Sequence, residues 1–191
     1  MNAEIIYIHG AGIQGPKSES RLLLKDLMRE VDDGLEIHAP EMPNPMNPDC
    51  VAWMDVLDAT IHKLDGRIIL IGHSLGASVI LKYLTERAVE INIESVLLMG
   101  TPFWGNSNWK SNDFRLDLNH LERLSAFDSI HFFHGVDDDV VPASHLDDYL
   151  QLIPHAHGQL VEGADHYLRN HIPSMVSLIN NLTTNTYTLN L

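Results

Sequence analysis

Six short apolar runs punctuate the chain, at residues 4–9, 35–38, 67–71, 95–99, 130–134 and 158–161. Most are continuously apolar, the pattern of strands in a parallel sheet covered on both faces. Between them the apolar positions change period. Leu24, Leu27, Met28 and Val31 recur at the three-and-four spacing of a buried helix face, as do Trp53, Val56, Leu57, Ile61 and Leu64, and again Ile172, Met175, Val176 and Ile179. Strands alternating with helices predict an α/β three-layer sandwich around a mostly parallel sheet of about six strands, with functional groups on loops at the carboxyl ends of the strands. No repeat or low-complexity linker interrupts the pattern, so residues 1–182 read as a single domain. Residues 183–191 are polar and without helical period, and read as a tail.

One strand-to-helix junction carries chemistry. The run at 67–71 leads directly into Gly72-His73-Ser74-Leu75-Gly76, and a helical pattern follows. A serine at such a turn is held in a strained backbone conformation, which needs near-absent side chains two residues before and two after it. The turn also aims the Leu75 N–H and the start of the helix at a developing oxyanion. A serine hydroxyl needs a base, and the base needs a partner that sets its tautomer. Two later loops offer them. His134-Gly135-Val136-Asp137-Asp138-Asp139-Val140-Val141-Pro142 follows the fifth strand, and Glu162-Gly163-Ala164-Asp165-His166 follows the last. Asp137, Asp138 and Asp139 are equal rivals on spacing alone. Of the 12 histidines, His62, His120 and His145 fall in predicted helices, and His38 and His131 fall in strands. His155 and His157 precede the last strand, and His171 begins the closing helix. His166 alone occupies the loop after the final strand, so it is the candidate base. Ser20, Ser78 and Ser111 lack glycine-flanked turns; Ser78 reads as a small residue that lets its helix press against the sheet.

These motifs resemble those of the α/β-hydrolase superfamily. GHSLG is similar to its elbow, the order Ser, Asp, His matches its arrangement, and HGVDDDVVP is similar to its acid loop, a likeness that places the acid at Asp138. Met42-Pro43-Asn44-Pro45 followed by Trp53 resembles, more narrowly, the small lidless serine hydrolases of the YdeN and retinoblastoma-binding-protein type. The likeness covers most of the chain, from the first strand to His166, and departs from the pattern at Asp165, where a glycine is expected. It implies a minimal α/β-hydrolase fold, hydrolysis of a carboxylic ester, thioester or amide through an acyl-enzyme, and no cofactor. His9-Gly10-Ala11-Gly12 then reads as the loop whose Ala11 N–H completes the oxyanion hole with Leu75.

The same loop spells GxGxxG from Gly10 to Gly15, with Glu36 about 20 residues further on, as in dinucleotide-binding folds. A dinucleotide helix would be under way by the second glycine, which would put Pro16 inside it at a cost of about 3 kcal/mol. A helix beginning near Ser18 or Glu19 avoids this cost, so the dinucleotide-dependent reductase stands behind the hydrolase. After the fourth strand, Gly100-Thr101-Pro102-Phe103-Trp104-Gly105-Asn106-Ser107-Asn108-Trp109 is long for a connection. Phe103, Trp104 and Trp109, together with His73, are therefore candidates to line an acyl or leaving-group pocket. About 30 residues lie between the fourth and fifth strands, enough for this loop and a short helix at 119–126 but not for a lid domain. An open cleft also keeps a protein-binding module in play as the second reading.

Composition narrows the partners. The 191 residues carry a formal net charge of −14, which argues against nucleic acid or an anionic membrane and says little about the small acyl substrate that the resemblance implies. Cys50 is the single cysteine, so no disulfide forms within the chain. No apolar run reaches membrane-spanning length, and the start of the chain reads as a strand rather than a leader, which gives a cytoplasmic expectation. No spacing of Asp, Glu and His matches a metal ligand set, so no metal is expected.

Overall fold

The computed structural model describes residues 3–15, 17–32, 34–87, 92–105 and 109–185. Six strands, β1 (Ala3–Ile8), β2 (Glu36–His38), β3 (Arg67–His73), β4 (Ile93–Met99), β5 (Ile130–Gly135) and β6 (His157–Val161), form one sheet in the order β2-β1-β3-β4-β5-β6. Every pairing is parallel. The three-layer α/β architecture is therefore as expected, with a sheet that is wholly parallel. Alternate side chains of the central strands leave on opposite faces, and both faces are apolar. Ile6, Ile8, Leu70 and Leu98 join α2 (Cys50–Ile61), α3 (Leu75–Glu86) and α4 (Ser144–Leu152) in one core. Ile5, Tyr7, Ile71 and Met99 join α1 (Glu19–Glu30) and α5 (Ile172–Asn185) in the other.

The helices start where side chains satisfy their first N–H groups. Ser18 Oγ accepts from Arg21 N–H ahead of α1, and Asp49 Oδ1 accepts from Ala52 N–H ahead of α2. α1 thus begins seven residues after Gly12, too late for a dinucleotide turn. Pro16 and residues 186–191 lie outside the described residues. Three expectations need correction. Met28 is 60% exposed, because the buried stripe of α1 runs through Leu23, Leu24 and Leu27 instead. The segment predicted as a short helix at 119–126 is a 3₁₀ helix, Leu118–Ala126. The tail begins later than residue 183, since α5 continues to Asn185. Among the described residues no helix is long and apolar enough to cross a membrane, and no separate lid covers the carboxyl edge of the sheet.

Candidate active site

Ser74 sits between β3 and α3 with φ 52° and ψ −120°, a left-handed-side conformation that costs a non-glycine residue about 1–3 kcal/mol. The surroundings hold it there. Ser74 N–H donates to the Met99 carbonyl at 2.8 Å, and its own carbonyl accepts from Ala77 N–H at 3.0 Å. A Cβ at Gly72 would lie 2.5 Å from Ala77 Cα, and one at Gly76 would lie 2.2 Å from the Ile8 carbonyl oxygen. Both glycines are therefore required by backbone packed against backbone. α3 is buried from Leu75 to Thr85, so the serine rides on the most enclosed helix of the molecule.

The loop after β1 passes directly over this turn. A Cβ at Gly10 would meet Ser74 Cβ at 3.1 Å and His73 Nδ1 at 3.2 Å. Its course is fixed from both sides. His9 Nδ1–H donates to the Gly10 carbonyl at 2.7 Å, Gln14 Nε2 donates to the Gly10 and Gly12 carbonyls at 3.3 and 3.1 Å, and Gly12 N–H donates to the Pro45 carbonyl at 2.8 Å. His9 Nε2 accepts from Met42 N–H at 3.4 Å, while the ring meets Trp53 edge-on at 5.2 Å. Burial lowers the His9 pKa, which keeps the imidazole neutral and preserves that acceptor. Trp53 Nε1–H in turn donates to the Pro43 carbonyl at 2.7 Å. The MPNP segment and the tryptophan of α2 thus act as a buttress for the Gly10–Gly12 backbone. Trp53 is wholly buried, as its place on the apolar stripe predicts.

Burial separates the three candidate aspartates. Asp137 and Asp139 are exposed, whereas the Asp138 side chain is fully enclosed. Asp138 Oδ1 accepts from Val140 and Val141 N–H at 2.9 and 2.7 Å, and Oδ2 accepts from His166 Nδ1–H at 2.8 Å. His134 Nε2 stands 3.3 Å from the same Oδ2 and donates to the Val141 carbonyl at 2.9 Å. Burial pushes the Asp138 pKa up, but the donors from His134, His166 and Val141 outweigh it and hold the carboxyl well below its usual range. With Nδ1 committed to Asp138, Nε2 is the ring nitrogen left for proton transfer.

The loop bearing His166 folds without the expected glycine. Asp165 Oδ1 accepts from Tyr167 and Leu168 N–H at 2.9 and 3.2 Å, so a carboxylate shapes the turn. Two glycines make room for it. A Cβ at Gly135 would lie 2.2 Å from the Ala164 carbonyl oxygen, and one at Gly100, where φ is +54°, would lie 3.0 Å from His166 Nδ1. His73 Nε2–H donates to the His166 carbonyl at 3.0 Å. Burial first, then the neighbouring His166, pushes the His73 pKa down to about 3, so this donor stays neutral.

Ser74, His166, Leu75, Ala11 and His73 all line one cavity of about 230 Å³. Trp104 and Trp109 line it too, stacked edge to face at 5.2 Å, with Trp104 Nε1–H donating to Ser78 Oγ at 2.9 Å. Ser78 therefore holds a ring as well as allowing close packing. Phe103 does not reach the cavity. Its ring packs edge-on against Tyr149 at 5.0 Å and faces a separate hollow, while its N–H donates to His145 Nδ1 at 2.8 Å. Gly10 lines it as well, and Pro102, Val140, Tyr167 and Ser20, none of them a lining candidate from the sequence, complete it. Tyr167 was signalled only by its place after His166, and Ser20 by nothing local. Among the described residues Glu4, Glu36 and His38 bring ligand-type atoms within 4.8 Å of one another, but Glu4 and His38 already pair at 2.8 Å at the far edge of the sheet.

Known proteins resemble this chain in sequence and in fold. The serine hydrolase family model matches residues 27–160, well over half of the chain. The YdeN protein of Bacillus subtilis (strain 168) is 26% identical over 184 residues, covering 89% of this chain and 88% of its own. The crystal structure of the ydeN gene product superposes with a TM-score of 0.75 at 21% identity, over 96% of this chain and 100% of that one. A meta-cleavage product hydrolase from Pseudomonas fluorescens superposes at 0.73 and 12% identity, over 97% of this chain and 92% of that one, a likeness of fold alone. On the family match, the chain belongs to the serine hydrolases.

Proposed function

We propose that this protein hydrolyses a carboxylic ester, thioester or amide through an acyl-enzyme, with Ser74 as nucleophile, His166 as general base and acid, and Asp138 as the residue that orients the imidazole. The observation that carries this reading is the buried 2.8 Å contact between His166 Nδ1 and Asp138 Oδ2 on a ring that shares its cavity with a strained Ser74. Ser74 Oγ attacks the carbonyl carbon as its proton passes to His166 Nε2. Asp138 stays ionised and stabilises the imidazolium. The carbonyl oxygen gains charge opposite the Leu75 and Ala11 N–H groups, each contributing about 3 kcal/mol to the transition state. Nε2–H then protonates the leaving group, the C–X bond breaks, and water repeats the sequence to release the acid and restore the serine.

The test is labelling with a fluorophosphonate probe. The protein is expected to react rapidly, and Ser74→Ala is expected to abolish labelling. Equal labelling of the two proteins would overturn the proposal. The cavity is small and uncapped, which favours short or exposed acyl groups. Across a series of 4-nitrophenyl esters, kcat/KM is expected to fall once the acyl chain outgrows the space beside Trp104 and Trp109.

A further inference from the structure

A second cavity, about 520 Å³ and more than twice the size of the first, lies on the other side of the Gly10–Gln14 loop. Tyr7 and His9 come from the end of β1, Ser20, Arg21 and Lys25 from α1, and Met42 and Pro45 from the segment that buttresses the loop. Ser20 lines both cavities, so the two hollows share a wall at the start of α1. Nothing in the triad chemistry uses this space.

Its charge runs against that of the molecule. The chain holds 26 acidic residues against 12 Lys and Arg, yet this cavity gathers two cations and one carboxylate, Glu41. Arg21 and Lys25 are four residues apart on α1 and so lie on one face of it. Both are exposed, and among the described residues neither forms an ion pair, unlike Arg29 and Arg169, which bind Asp26. His9 adds no charge, because burial keeps it neutral. Two unengaged cations at the mouth of a half-apolar hollow next to a nucleophile suit a substrate with an anionic end.

We propose that this second cavity is a subsite for the carboxylate-bearing end of the substrate, held by Arg21 and Lys25 while the scissile carbonyl lies at Ser74. The inference rests on Ser74 being the nucleophile. It makes the protein selective for esters, thioesters or amides that carry a carboxylate a few bonds from the reacting carbonyl.

Two matched pairs of esters test it. One pair places the charge on the acyl side, mono-4-nitrophenyl adipate against its methyl ester. The other places it on the alcohol side, 4-acetoxybenzoate against its methyl ester. In at least one pair the carboxylate is expected to raise kcat/KM by about five-fold, the upper end of what a surface ion pair supplies. In Arg21→Gln/Lys25→Gln the ratio within that pair is expected to fall to about one. A ratio of one in both pairs for the unmodified protein, or a preference that survives the double substitution, overturns the subsite. Calorimetry on Ser74→Ala reads the subsite without turnover. Adipate is expected to bind more tightly than dimethyl adipate, and equal or absent binding of the two counts against the subsite even where labelling at Ser74 succeeds. Failure of labelling with adipate still bound would instead remove the triad and leave the anion site standing.

Discussion

Asp138 and His73 show how one residue's surroundings set its part in the chemistry. Asp138 accepts four hydrogen-bonding approaches and holds the imidazole by one of them. Asp138→Asn keeps the size of the side chain but presents the wrong partner to His166 Nδ1, so kcat toward 4-nitrophenyl acetate is expected to drop by about 10³- to 10⁴-fold with the fold retained by circular dichroism. His73 couples stability to pH. Its folded pKa of about 3 lies below the unfolded value of about 6.5, so both states are neutral above pH 6.5 and the full stability is present there. As the pH falls from 6.5 toward 3 the unfolded chain takes up the proton and the folded one does not. Stability is then lost at about 1.4 kcal/mol per pH unit for this one group. Urea unfolding at pH 7, 5.5 and 4 is expected to show that decline, and His73→Gln, which keeps a donor for the His166 carbonyl, is expected to make it shallower. At this scale the sequence was informative about Ser74 and His166 because each has a distinctive place beside a strand end. Spacing alone left three aspartates level and only the family likeness pointed to Asp138, because it is the fold that turns residue 138 inward while 137 and 139 face water.

At the level of elements, the strands and α3 were legible because a parallel sheet buried on both faces writes itself as unbroken apolar runs. The edge strands were harder. β6 is exposed at four of its five positions, so burial on both faces does not write its pattern. Met28 was misplaced because a helix stripe one position wide of the true one fits the same spacing. Least legible was the buttress, in which Trp53 on α2 reaches the Pro43 carbonyl and Pro45 receives Gly12 N–H. No local pattern shows that these backbone groups meet. Trp53→Phe keeps the ring and removes the donor, stranding a carbonyl at a cost of about 1–3 kcal/mol by urea unfolding. It is also expected to lower kcat more than it changes KM, since in the proposed mechanism the Gly10–Gly12 backbone acts on the transition state. Gly76→Ala is expected to be more severe. A methyl 2.2 Å from the Ile8 carbonyl must push α3 off β1, costing about 3 kcal/mol or more in the same measurement.

For the whole molecule, charge and chemistry are distributed separately. The net charge of −14 vanishes near the calculated isoelectric point of about 5.1, so light scattering is expected to show minimum solubility near pH 5, where the His73 penalty has also begun to act. Ser74, Asp138 and His166 come from crossovers far apart in the chain, yet they meet at the carboxyl edge of one sheet. The close seating of Gly76 on the end of β1, and of Gly10 over Ser74, makes the proposed nucleophile and its proposed anion cradle a single closely packed joint. Variation cannot enter there without disabling both at once. Diversification of what this scaffold accepts is therefore channelled outward, to the Trp104–Trp109 wall and the face of α1, where side chains border the reacting centre without supporting it. A library randomised at those two walls should yield altered selectivity far more often than one of equal size aimed at residues 10–12 and 72–76.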